Sequence, residues 1–214
     1  MRVLLTAGGT REPIDDVRVV ANTSTGRLGA RLADAFADAG HDVVLLHGET
    51  AALPRTAAVE RHAFGPSSQL WTLLENHLPR ADVVVHAAAV SDYLPVRSAG
   101  KLSSDADELV VRMTRAPKLI DRLRDRAPKA FLVGFKLTSG LDRQERMVVA
   151  HALLERAKLD LVVANESART GEADHEALLI SPAGVSDVVG GKVALARAVV
   201  AAVRASAGRV AEAS

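Results

Sequence analysis

The sequence predicts an α/β fold in which helices cover both faces of a parallel sheet. Three observations point to it. Short apolar, β-branched runs recur along the chain, longer segments of helical period separate them, and small residues gather just past the carboxyl ends of those runs. A strand buried on both faces reads as a continuous apolar run, the signature of a parallel sheet. Such sheets bind ligands beyond the carboxyl ends of their strands.

The elements follow in order. Residues 3–7 form the first strand, 28–36 a helix that stops near Gly40, and 42–46 the second strand. Leu70, Leu73, Leu74 and Leu78 lie at helical spacing, and residues 82–88 form a third buried strand. Residues 130–135 and 161–165 repeat the pattern, with a helical stretch over 147–158 between them and a last helix from Lys192. Gly190-Gly191-Lys192 reads as the start of that helix rather than as phosphate chemistry. The Ala-rich ending, 205–214, is expected to fray. Pro95 and Gly100 break any regular element over 91–102, and 109–113 then reads as a strand. The interval 91–113 is therefore expected to leave the sheet as a flap or dimerisation arm. Leu109, Val111 and Met113 would otherwise lie on an exposed edge, which a twofold mate would cover. The expected architecture is one Rossmann-like domain over residues 1–214, with the arm attached.

Composition narrows the function. A chain of 214 residues supports one sizeable core. Its 27 Lys and Arg against 26 Asp and Glu leave a net charge of +1, without the basic face of a nucleic-acid binder. Cysteine is absent, which excludes disulfides, thiolate metal sites and a protein-thiol nucleophile. No apolar run approaches the ~20 residues of a membrane helix. The N-terminus enters a strand without a signal-peptide pattern. A cytoplasmic protein without nucleic-acid or membrane partners is expected.

The residues that carry chemistry follow the strands. In Thr6-Ala7-Gly8-Gly9-Thr10 the glycines let backbone amides approach phosphate oxygens. Asn22-Thr23-Ser24-Thr25-Gly26-Arg27-Leu28-Gly29 precedes the first helix; Ser24 or Thr25 is expected to cap it, and its first-turn amides make an anion site. Gly29 permits close packing of helix on strand. Asn22 has no duty in capping. After the third strand, the small residues of Ala87-Ala88-Ala89-Val90-Ser91-Asp92-Tyr93 leave backbone groups open to a planar base or ribose. Asp92 is a candidate for hydroxyls or a divalent cation. No residue is assigned as a metal ligand.

A nicotinamide-dependent oxidoreductase is the alternative, with Gly26 and Gly29 opening a helix and Glu49 placed for a ribose. The insert 11–23 breaks the G-x-G-x-x-G spacing, and Tyr93 has Arg97 where a short-chain dehydrogenase has lysine. A non-catalytic nucleotide-binding regulator is the other alternative.

Six segments in order resemble the phosphopantothenate–cysteine ligases. They are Thr6-Ala7-Gly8-Gly9-Thr10-Arg11-Glu12, Asn22-Thr23-Ser24-Thr25-Gly26, Ala88-Ala89-Val90-Ser91-Asp92-Tyr93, Lys101-Leu102-Ser103-Ser104, Gly134-Phe135-Lys136-Leu137 and Leu161-Val162-Val163-Ala164-Asn165. The resemblance covers nearly the whole chain and is closest to the free-standing bacterial form, without the flavin-dependent decarboxylase to which most bacterial members are fused. It implies coupling of 4′-phosphopantothenate to cysteine through an acyl nucleotide. The nucleotide is CTP, with ATP as the other possibility, magnesium accompanies it, and no flavin is implied. It also implies a homodimer.

Residue by residue, the resemblance implies catalytic roles for Asn22, at the acyl phosphate, and for Lys101, on the triphosphate. Gly8, Gly9, Ser24, Thr25 and Gly26 cradle phosphates. Ala87, Ala88, Asp92, Pro117, Lys118 and Phe135 hold the nucleotide, and Arg27 joins Asn22 in substrate binding. In fused bacterial members two helix lysines touch the nucleotide. Leu153 and Ala157 stand in their places here, so those contacts are lost or taken over by Arg156 or Lys158.

Overall fold

The computed structural model describes residues 1–103, 105, 107–166, 177–188 and 190–212, with the backbone alone at 166 and 207–212. Strand β1 (Arg2–Ala7) is followed by a small antiparallel hairpin, β2 (Arg11–Pro13) and β3 (Val19–Ala21). Then come α1 (Arg27–Asp38), β4 (Asp42–Gly48), β5 (Glu60–Phe64), α2 (Ser67–His77) and β6 (Val83–His86). A two-stranded ribbon, β7 (Tyr93–Pro95) with β8 (Met113–Arg115), leaves the sheet. The chain returns through α3 (Leu123–Arg126), β9 (Phe131–Thr138), α4 (Arg143–Arg156) and β10 (Leu161–Glu166). It closes with β11 (Ala177–Ser181), β12 (Gly184–Val188) and α5 (Gly191–Glu212).

The main sheet runs β12-β11-β10-β9-β6-β1-β4-β5. Six strands are parallel, and β11 and β12 extend one edge antiparallel. From β1 the chain first adds strands outward to β5, then crosses to β6 on the other side. That reversal opens a crevice above the carboxyl ends of β1 and β6.

Burial on both faces explains the unbroken apolar strands. Val3 and Leu5 of β1 pack with Leu32 and Phe36 of α1 and with Leu195, Val199 and Val203 of α5. Leu4, between them, faces Leu70 and Leu74 of α2 and Leu153 and Leu154 of α4. Each strand thus feeds two apolar layers, one on either side.

Several expectations need correction. Helix α4 starts at Arg143, four residues before its apolar pattern, because Asp142 and Glu145 form a reciprocal capping box. The strand expected at 109–113 is Met113–Arg115. It pairs with β7 of its own chain, so its inner edge is covered without a twofold mate. The C-terminal helix runs through the Ala-rich ending, its backbone helical to Glu212. Strand β5, Glu-Arg-His-Ala-Phe, escaped notice because an edge strand with one open face carries polar residues. The hairpin of β11 and β12 also went unforeseen. Ser104, in one of the six segments, and residues 213–214 lie outside the described residues.

Candidate active site

The start of α1 shapes the centre of the crevice. Gly26 is the N-cap residue at φ 69, and no side chain caps the helix, so neither Ser24 nor Thr25 has its expected role. A left-handed residue suits glycine. Space demands it as well, since a Cβ on Gly26 would lie 2.6 Å from the Ala51 Cβ. The first-turn amides of α1 therefore meet no capping side chain, which leaves an anion site. At Gly29 an added Cβ would come within 2.2 Å of the Ala7 Cβ, so α1 sits directly on β1.

The ends of β1 and β6 are stitched together. The Ala87 amide donates to the Thr6 carbonyl at 3.2 Å, Ala88 to Thr6 Oγ1 at 3.1 Å, and Ala89 to the Gly8 carbonyl at 2.8 Å. Those three amides are engaged within the chain. The small side chains leave room above the strand. The Ala89 carbonyl accepts from the Thr10 amide at 3.1 Å and from Asn22 Nδ2 at 3.0 Å. Asn22, just past β3, is thereby held over the end of β6. Gly9 lies beneath the same turn, where a Cβ would meet the Asn22 carbonyl oxygen at 2.7 Å. Close packing at this turn requires glycine, and Gly9 lines neither cleft.

Two clefts meet at this point and share Ala88, Val90 and Phe135. The larger, about 610 Å³, is lined by Gly8, Asn22, Ser24, Thr25, Gly26, Arg27 and Ala87 from the expected set. The smaller, about 400 Å³, is lined by Asp92, Pro117 and Lys118. Lys118 Nζ contacts the Asp92 carboxylate, so this lysine belongs to the cleft. Arg156 lines the smaller cleft beside Leu153, with its Nε 3.0 Å from Asp121 Oδ1. Lys158 lines neither cleft; it lies two residues beyond α4 at φ 49. Of the two possible replacements for the family lysines, Arg156 is the one that lines a cleft.

Lys101 is exposed and lines neither cleft. Its segment lies against the β2–β3 hairpin of the same chain. The Ser98 amide donates to the Ile14 carbonyl at 2.9 Å, Asp16 to the Gly100 carbonyl at 3.3 Å, and Leu102 to Asp15 Oδ2 at 3.1 Å. Asp15 also accepts from the Val17 amide at 2.8 Å and the Arg18 amide at 2.6 Å. Burial alone would raise the Asp15 pKa, but these amides and the Arg18 guanidinium together hold it down to about 2.

Three residues on the clefts escaped sequence reading as site residues. Asn165, at the end of β10, and Lys192, in the first turn of α5, line the larger cleft. Lys192 thus starts a helix and also adds charge to the site. His86 lines the smaller cleft, and its Nδ1 lies 3.0 Å from Thr6 Oγ1. Burial pushes this imidazole down to about 4, so it is neutral at pH 7. Thr6 is fully buried, so the pair holds the strand ends rather than supplying a nucleophile. The one polar residue in Val-Val-Val-His was the available signal. The arrangement offers anion binding at α1, cations from Arg27 and Lys192, and a carboxamide above the junction.

The family model described as DNA/pantothenate metabolism flavoprotein C-terminal domain matches residues 1–206. The coenzyme A biosynthesis bifunctional protein CoaBC of Thermococcus kodakarensis is 36% identical over 182 residues, 84% of this chain and 44% of that protein. The protein of the same name from Mycolicibacterium smegmatis is 37% identical over 185 residues, 82% of this chain and 45% of that protein. The chain thus spans about half the length of the curated relatives it matches. The crystal structure of the DNA/pantothenate metabolism flavoprotein from Streptococcus pneumoniae aligns with a TM-score of 0.90 and 25% identity, covering 96% of this chain and 99% of that one.

Proposed function

The chain belongs to the family of the DNA/pantothenate metabolism flavoprotein C-terminal domain, and on that premise we propose that it is a phosphopantothenate–cysteine ligase of coenzyme A biosynthesis. The observation that carries the reading is the helix start without a side-chain cap at Gly26, facing Asn22 and the Ala88 wall across the switch point. In the proposed reaction the 4′-phosphopantothenate carboxylate attacks the α-phosphate of CTP, which leaves an acyl cytidylate and pyrophosphate. The cysteine amine then attacks the acyl carbon and expels CMP. No protein nucleophile is needed, because activation creates the leaving group.

What the chain supplies is position and charge. The α1 amides, Gly8, Arg27 and Lys192 hold phosphate in the larger cleft. Asp92, Pro117, Lys118, Phe135 and Arg156 surround the nucleotide in the smaller. Asn22, at the junction, donates to the acyl phosphate as charge develops. Magnesium fits as an ion carried on the triphosphate: among the described cleft residues Asp92 is the one carboxylate, and Mg²⁺ is commonly held by one or two carboxylates plus substrate phosphates. There it would offset phosphate charge.

Tyr93, Val96, Leu109 and Val110 are exposed on or beside the ribbon, Val110 at 85%. They support a homodimer formed through this arm, with Lys101 carried over the partner's triphosphate. Incubation with 4′-phosphopantothenate, cysteine, Mg²⁺ and either CTP or ATP tests the assignment. Phosphopantothenoylcysteine should form, with a higher specificity constant for CTP. Equal or better use of ATP overturns the nucleotide choice, and absence of product overturns the activity.

A further inference from the structure

Strand β5 is the outer edge of the sheet, and its side chains alternate. Phe64 is buried in the layer that holds Leu70 and Leu74 of α2. Glu60 and His62 stand at two-residue spacing from it and share that face. Helix α2 ends at His77, which meets them there. His62 Nε2 lies 2.7 Å from Glu60 Oε1, and the His62 and His77 rings are 5.0 Å apart between centroids, tilted by 47°. One ligand atom from each of the three side chains lies within 4.8 Å of the others. None of the three lines either cleft.

We propose that Glu60, His62 and His77 bind a divalent first-row transition ion of the zinc class. Tetrahedral zinc with bonds of about 2.0–2.1 Å places its ligand atoms about 3.4 Å apart, within reach of small side-chain rotations from the observed spacing. Two imidazoles and one carboxylate suit Zn²⁺, Ni²⁺ or Cu²⁺, whereas Mg²⁺ and Ca²⁺ prefer all-oxygen sets. The ion takes the place of the hydrogen between His62 and Glu60. Arg2 sits 3.8 Å from the other carboxylate oxygen, Oε2, where it orients Glu60 and leaves Oε1 to the ion. The fourth position is open to water. A bound ion would tie the edge strand to the end of α2 and stabilise the folded chain by mass action.

The test uses the untagged, metal-stripped full chain titrated with Co²⁺ and then Zn²⁺. One Co²⁺ per chain should bind with the visible absorption of a nitrogen- and oxygen-ligated tetrahedral ion, and Zn²⁺ should displace it and raise Tm. His62→Ala and His77→Ala, with metal-free Tm values near wild type, should each weaken binding by more than about tenfold. Paramagnetic broadening of the His62 and His77 ring signals by Ni²⁺ gives the same readout in the wild-type chain if either variant fails to fold. Absence of stoichiometric binding, binding unchanged in either variant, or broadening that spares either ring overturns the proposal.

Discussion

Asn22 is the residue on which the proposed chemistry turns. Its Nδ2 is anchored on the Ala89 carbonyl at the junction of the clefts, and its backbone closes over Gly9. Removal of one preorganised donor to a developing charge typically costs about 3 kcal/mol, roughly a hundredfold or more in rate. Asn22→Ala should therefore fold normally and turn over at least that much more slowly; wild-type kcat would remove it from the mechanism. His86 makes a different prediction. Its folded pKa of about 4 lies below the ordinary imidazole value of 6.5, so the unfolded chain binds the extra proton between those limits. Its contribution to stability is intact above about 6.5, is lost as pH falls toward 4, and changes no further below. The full loss is about 3 kcal/mol. Denaturant titration across pH 4–7 should show a steeper decline in wild type than in His86→Asn, and parallel curves would contradict it. Sequence reading found Asn22 because the capping geometry left it without a local duty. His86 stayed hidden because its partner, Thr6, is eighty residues away.

At the scale of elements, the tie between the β2–β3 hairpin and the arm depends on Asp15. Asp15→Asn places an amide among four donors: the backbone amides of Val17, Arg18 and Leu102 and the Arg18 guanidinium. Amide exchange at Leu102 should accelerate in the variant while exchange in β1 stays slow; equal protection at Leu102 would contradict the tie. Because the Asp15 pKa is depressed, its contribution is present above the unfolded value near 3.8 and is lost as pH falls through about 2. Mild acid should therefore leave the arm docked. Sequence reading drew the arm at 91–113 from Pro95 and Gly100; the ribbon that leaves the sheet pairs Tyr93–Pro95 with Met113–Arg115. The reading misplaced the strand because Leu109 and Val110 are apolar yet exposed, and periodicity alone does not distinguish an apolar surface from a buried strand. The central strands were legible since two buried faces make a continuous apolar run. The edge strand β5 and the short ribbons were not, because their pairing rests on tertiary neighbours.

For the whole molecule, the clefts lie where the order of strands reverses, and the arm lies against its own hairpin beside an exposed apolar ribbon. If Lys101 acts across a dimer, Lys101→Ala and Asn22→Ala chains should each be nearly inactive alone. Mixing them puts both lesions into one site and leaves the other intact, so activity should partly return. No recovery despite confirmed subunit exchange would confine Lys101 to its own protomer or to no role. The central claim is that the chain activates a carboxylate on a nucleotide without a protein nucleophile. Rapid-quench measurement of pyrophosphate, with CTP, Mg²⁺ and 4′-phosphopantothenate and with cysteine omitted or added, tests it most directly. Without cysteine, a burst of about one pyrophosphate per active site should appear with CMP retained as the acyl cytidylate; with cysteine, pyrophosphate and CMP should be released together at every turnover. Pyrophosphate release that does not depend on phosphopantothenate, or none with both substrates present, would contradict the account.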